Sequence, residues 1–75
     1  MIVLSPRLKT AADMVRKGVV AADIGTDHAY LPSYLVLNGI CPRVLACDLR
    51  KGPLENAAET LERWNISAKI TLRLS

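Results

Sequence analysis

Two aspartates, a glycine and a histidine sit close together in Asp23-Ile24-Gly25-Thr26-Asp27-His28, and a further aspartate, Asp48, lies 23 residues beyond Gly25. Carboxylates accept hydrogen bonds from hydroxyls and attract cationic groups, and a lone glycine lets backbone turn sharply. The apolar run Val19-Val20-Ala21-Ala22 leads into this cluster, and Tyr34-Leu35-Val36-Leu37 follows it, ending at Asn38-Gly39. A buried strand, an acidic residue, a glycine turn and a helix are how a Rossmann-like sheet begins a nucleotide site.

The glycine spacing narrows the nucleotide. A dinucleotide loop of the G-x-G-x-x-G type needs its second glycine so that backbone can approach a pyrophosphate. Counted from Gly25, that position is Asp27 and the last is Tyr30. An aspartate there brings bulk and negative charge toward a phosphate, which disfavours NAD and FAD. S-adenosylmethionine carries no phosphate, and its sulfonium and amino groups are positive, so an acidic loop suits it. The alternative is an ordinary strand-to-helix turn that holds no ligand.

Asp48 ends a second apolar run, Val44-Leu45-Ala46-Cys47. In this architecture an acid about 20 residues after the glycine loop accepts hydrogen bonds from ribose hydroxyls. The alternative is a turn or cap ahead of the next helix. Leu49 would flank an adenine with its apolar side chain. His28, the single histidine, either donates to a bound carboxylate or caps the following helix. It has no Cys or Ser beside it in sequence to support a nucleophilic role. Trp64 falls on an apolar helix face and reads as core.

The elements that must hold these residues follow from periodicity. Ser5-Pro6 opens a helix, with Ser as N-cap and Pro in the first turn. Leu8, Ala11, Ala12 and Val15 share one face of it, and Gly18 is a natural stop. Val19 to Ile24 reads as a buried strand. Pro32 lies early in the next helix and Gly39 ends it. Arg43 to Asp48 reads as the second strand. A third helix starts at Gly52-Pro53, buries Leu54, Ala57, Ala58, Leu61 and Trp64, and pairs Glu59 with Arg63 on its outer side before Asn65 closes it. Ala68 to Leu74 alternates as a strand with Ile70, Leu72 and Leu74 inward. The order is α-β-α-β-α-β. Strands in the order 3-2-1, joined by right-handed crossovers, put both crossover helices on one face and leave only the first helix for the other. Parallel sheets are normally covered on both faces. The reading is therefore one partial domain over residues 1–75, the first half of a doubly wound fold whose C-terminal half is absent.

Composition sets the outer limits. Seventy-five residues, 51% of them hydrophobic, suffice for one small core and not for two. With no Phe, that core rests on Leu, Val, Ile and Ala. A net charge of +3 permits contact with nucleic acid without requiring it. The basic residues Arg7, Lys9, Arg16 and Lys17 read as a solvated helix face. Cys41 and Cys47 are too few for a disulfide framework or, with one histidine, for a metal site. No apolar run approaches the length of a membrane span. These features suggest a cytoplasmic protein.

The strings Leu4-Ser5-Pro6-Arg7-Leu8, Ala22-Asp23-Ile24-Gly25-Thr26-Asp27-His28-Ala29-Tyr30-Leu31-Pro32, Tyr34-Leu35-Val36 and Asn38-Gly39 resemble the bacterial tRNA (adenine-22-N1)-methyltransferases. The resemblance implies the N-terminal part of a class I methyltransferase domain that binds S-adenosylmethionine, with tRNA as partner. It implies that Asp23, Gly25, Thr26, Asp27 and His28 form the cofactor loop, and that Asp48 is the acid after the second strand, where the family often has Glu. It places Arg7 near the cofactor or the target base. The acidic motif after the third strand, the segment that holds the target adenine and a later helical region fall outside the chain. Two other readings stay open: a non-catalytic module that binds nucleotide, self-associates or pairs with a missing C-terminal half, and a class I methyltransferase with a different acceptor.

Overall fold

Ser5 and Pro6 start the first helix as their chemistry requires. In the computed structural model, which describes residues 2–75, the Ser5 hydroxyl accepts the Leu8 backbone N–H at 3.4 Å. Pro6 begins helix α1 (Pro6–Asp13), where its missing N–H costs nothing. The helix stops well before Gly18. Instead Gly18 donates its N–H to the Ile40 carbonyl at 2.7 Å, tying the turn after α1 to the loop after the second helix.

Strand β1 (Ala21–Ile24) is shorter than the apolar run containing it. Its partner explains this. Ala21 pairs with Val44, the first residue of β2 (Val44–Asp48), and just upstream lies Pro42, which has no N–H for a ladder. Between them runs α2 (Tyr30–Leu37), which holds Pro32 in its first turn. After β2 comes α3 (Lys51–Arg63), one residue earlier than the Gly-Pro pair suggests. The residue that follows its C-cap, Asn65, adopts φ +56°, a left-handed value that asparagine tolerates. A 3₁₀ turn over Ser67–Lys69 occupies the start of the expected last strand, so β3 runs Ile70–Leu74.

The three strands are parallel in the order β1-β2-β3, matching the expected arrangement. One sheet face carries Val44, Ala46 and Ile70 into a core with Leu35 and Val36 of α2 and Ala57 and Leu61 of α3. Trp64 is half-buried against this core. Both crossover helices thus share a face. The expectation that the first helix covers the other face is corrected: α1 packs against α2, sending Ala12 into the same core. On the open face Ala22, Ile24, Thr71 and Arg73 are exposed. The run Val19–Ile24 is therefore not uniformly buried: Val19 and Val20 are exposed ahead of the strand, and Ala21–Ile24 alternates, because β1 is an edge strand with one face uncovered. Leu74, expected inward, is exposed at the end of the other edge strand.

Both cysteines are free and buried. Among the described residues no three metal-ligating side chains cluster, and no helix is long and apolar enough to cross a membrane. Glu59 and Arg63 form no ion pair; the i,i+4 pair that does form is Lys9–Asp13 at 2.7 Å.

Candidate functional site

The loop after β1 turns on backbone that most residues avoid. Gly25 sits at φ +76°, Asp27 at +52° and Ala29 at +59°. A built Cβ on Gly25 would meet nothing within 4 Å, so glycine is favoured there by its dihedral and not by crowding. Ala29 has no such freedom, and a left-handed alanine costs about 1–2 kcal/mol. It is fully buried as the N-cap of α2, so packing holds it there. The loop is pinned to the neighbouring strand: Gly25 and Thr26 both donate to the Cys47 carbonyl, at 2.8 and 2.9 Å. The ends of β1 and β2 are thereby held side by side, with Ile24 and Gly25 forming a divider between two clefts.

The first cleft, about 350 Å³, lies between α1 and the loop and is lined by Arg7, Asp23, Thr26, Asp27, His28 and Tyr30, among others. Burial pushes the Asp23 carboxyl above its ordinary range, with the Thr26 hydroxyl acting the other way. Thr26 Oγ1 is itself buried; it lies near enough to Asp23 to lower that carboxyl's pKa but makes no well-formed hydrogen bond among the described residues. The His28 and Tyr30 rings stack, centroids 5.1 Å apart and planes 14° from parallel. His28 Nε2 lies 3.9 Å from Asp27 Oδ1. Arg7 faces this acidic wall from α1 and is the cleft's guanidinium.

The second cleft, about 300 Å³, opens on the other side of Gly25 and is lined by Ile24, Gly25, Asp48, Leu49 and Arg50. Asp48 is 3% exposed. Its Oδ1 accepts the Arg50 backbone N–H at 2.9 Å and Arg50 Nε at 3.2 Å. Its Oδ2 is buried with no partner among the described residues. The Arg50 hydrogen bonds hold the carboxyl below its ordinary range, outweighing the opposing effect of burial. Leu49 stands exposed at the rim.

Arg7, Asp23, Gly25, Thr26, Asp27 and His28 thus line one cleft, and Gly25, Asp48 and Leu49 the other. Sequence reasoning missed two contributors. Tyr30 enters the sequence reading as a displaced glycine position and as part of the resembling string, without a site role, yet its ring backs His28. Arg50 carried a usable signal: a residue two positions after an aspartate is where an Asx-type turn returns its backbone N–H.

The arrangement disfavours a pyrophosphate, because no second glycine lets backbone close on one and two carboxylates face the first cleft. It suits a ligand with a cationic end and a diol, laid across Gly25. Two buried, unpartnered oxygens, Thr26 Oγ1 and Asp48 Oδ2, await donors on opposite sides of that glycine.

A family model described as a methyltransferase domain matches residues 4–75. The chain is 41% identical over 70 residues to the tRNA (adenine(22)-N(1))-methyltransferase of Bacillus subtilis, covering 93% of this chain and 29% of that protein. The solved structure of M. capricolum TrmK in complex with S-adenosyl-homocysteine is 42% identical, with a TM-score of 0.92 over 96% of this chain and 32% of that one. Streptococcus pneumoniae Sp1610 in complex with S-adenosyl-L-methionine is 36% identical, with a TM-score of 0.92 over 97% of this chain and 34% of that one. The chain spans about a third of the length of the relatives it matches.

Proposed function

From the methyltransferase-domain family, to which this chain belongs, we propose that residues 1–75 are the cofactor-binding part of an S-adenosylmethionine-dependent enzyme that methylates N1 of adenine 22 in tRNA. The observation that carries the reading is the pair of clefts split by Gly25, one acidic and one ending in the free oxygen of Asp48.

The residues fit S-adenosylmethionine. Asp48 Oδ2 would accept a ribose hydroxyl, and Leu49 would lie against the adenine. Asp23, Thr26, Asp27 and His28 would surround the methionine end, where Asp23 and Asp27 complement its ammonium and sulfonium charges and Thr26 Oγ1 gains a partner. The bound cofactor supplies an electrophilic methyl group. This chain holds that group still and keeps phosphate-bearing nucleotides out; alignment with an acceptor nitrogen is the main work of such an enzyme. Arg7, across the first cleft, would meet either the cofactor carboxylate or the RNA backbone.

An amide NMR titration of this chain with S-adenosylhomocysteine tests the reading. Shifts confined to Gly25–Ala29 and Asp48–Arg50 are expected. Dispersed spectra that stay unchanged at millimolar ligand would overturn it. Methylation of a tRNA transcript at adenine 22 by a protein containing this chain tests the acceptor.

The open sheet face supports a second element of the proposal. Exposed Ala22 and Ile24 on an edge strand would be covered by further polypeptide or by a second copy of the chain, the latter giving self-association.

A further inference from the structure

We propose that Arg50 positions Asp48 for the cofactor ribose by clamping one carboxylate oxygen and reserving the other for a ligand hydroxyl. The inference rests on the cofactor reading above and assigns a residue that reading does not use.

An arginine beside a carboxylate commonly spreads two N–H groups over both oxygens as a fork. Arg50 does not. Its backbone N–H and its Nε both reach Oδ1, at 2.9 and 3.2 Å, and Oδ2 is left without a partner while buried. A buried acceptor with no donor is costly. The two-donor grip on Oδ1 fixes the plane of the carboxylate, so Oδ2 has a defined direction at the cleft that Arg50 itself lines.

The surroundings leave this task to Arg50. It is the charged side chain in contact with Asp48. From the β1–α2 loop the Asp27 backbone N–H adds the smallest of the effects that lower the Asp48 pKa, with the Asp27 carboxylate exposed, and from β3 the register partner is the apolar Leu74. The Arg50 hydrogen bonds, from its backbone first and its side chain second, therefore favour the ionised carboxylate and leave Oδ2 to accept from the ribose. The Arg50 side chain is 71% exposed, so replacing it should not unfold the chain.

The test compares the wild-type chain with Arg50→Met, Arg50→Lys and Asp48→Ala, using S-adenosylhomocysteine as ligand and calorimetry for affinity. Arg50→Met should weaken binding by about tenfold, the size of one charge-assisted hydrogen bond. Carbon-13 titration of the Asp48 carboxyl should show its midpoint raised in the ligand-free variant. Arg50→Lys, which restores charge without the planar donor, should recover the midpoint more fully than the affinity. In the Asp48→Ala background Arg50→Met should add almost nothing, because the two act as one unit. Affinity in Arg50→Met that equals or exceeds wild type would overturn the inference alone, as would a full additional loss in the Asp48→Ala background. No binding by the wild-type chain would overturn the cofactor reading first, and this inference with it.

Discussion

Ile24 and Cys47 are register partners on adjacent parallel strands, yet Cys47 is 3% exposed and Ile24 is 75% exposed. Cys47 lies in the central strand, flanked by Ile24 and Arg73. Ile24 ends the edge strand, and no helix packs over it. The open face should make the chain self-associate. Ala22→Lys, on the same face of the edge strand, is expected to abolish concentration-dependent sedimentation while changing stability by less than about 0.5 kcal/mol. Cys47→Ser, which buries a hydroxyl without a partner, should cost about 1–3 kcal/mol in a denaturant melt.

Asp48 tests the nucleotide assignment directly. Asp48→Ala removes the acceptor for the ribose and should lower affinity for S-adenosylhomocysteine by about tenfold or more, as loss of a hydrogen bond to a charged group does. Calorimetry at pH 7 reads it. Unchanged affinity would remove the second cleft from the site.

Much of this architecture is legible in the residues. Strand-forming runs ending in Asp23 and Asp48, the Ser5-Pro6 start, the Gly39 stop and the Gly52-Pro53 start locate the three α-helices and the first two strands, because those signals are local; the 3₁₀ turn that delays β3 carries no such signal. The parallel order follows from crossover rules. What escaped depends on partners distant in sequence. β1 begins only where Val44 opens its partner strand, α1 settles on α2 where Ala12 finds the core, and Ile24 is exposed because it ends an edge strand that no helix covers. At the site, the acids and Gly25 are visible as types at a spacing. The clamp on Asp48 is not, because only coordinates reveal that both Arg50 donors choose the same oxygen.

Asp23 and Asp48 should pull stability in opposite directions with pH. Arg50 holds the Asp48 pKa below its unfolded value, so Asp48 stabilises the fold above about pH 4 and loses that effect as pH falls through its folded pKa. Burial raises the Asp23 pKa, so Asp23 begins to cost stability as pH climbs through the unfolded value and costs most above the folded one. Asp23→Asn should therefore raise the melting temperature at pH 7, with no gain at about pH 2.5, where wild type is protonated in both states. Asp48→Asn should lower it at pH 7, and that gap should narrow on acidification. Melts at both pH values decide.

Two glycines should respond unequally to the same substitution. Neither would crowd a Cβ against residues distant in sequence, but Gly25 has φ +76° while Gly52 lies inside α3, directly before Pro53. Gly25→Ala should cost about 1–2 kcal/mol and weaken S-adenosylhomocysteine binding on both sides of the divider. Gly52→Ala should change stability by less than about 0.5 kcal/mol, because the lower entropy of the unfolded chain is offset by the clash of a Cβ with the Pro53 ring. Urea denaturation measures both; equal losses at the two positions would mean that the left-handed backbone at Gly25 is not what the substitution strains.

Ser33 supplies the last contrast. It is fully buried in α2, and its hydroxyl has no hydrogen-bond partner among the described residues. Unlike Thr26 and Asp48, it lines neither cleft, so no ligand of the proposed site would satisfy it. Removing a buried unpaired hydroxyl gives back part of its desolvation cost, and alanine favours the helix by a few tenths of a kcal/mol. Ser33→Ala should therefore be neutral or stabilising by up to about 1 kcal/mol, with no change in cofactor affinity. Leu35→Ala, two residues on in the same core, should cost about 2–5 kcal/mol. A large loss in Ser33→Ala would mean that the hydroxyl is bonded in solution, to a buried water or to the Ala29 carbonyl one turn earlier.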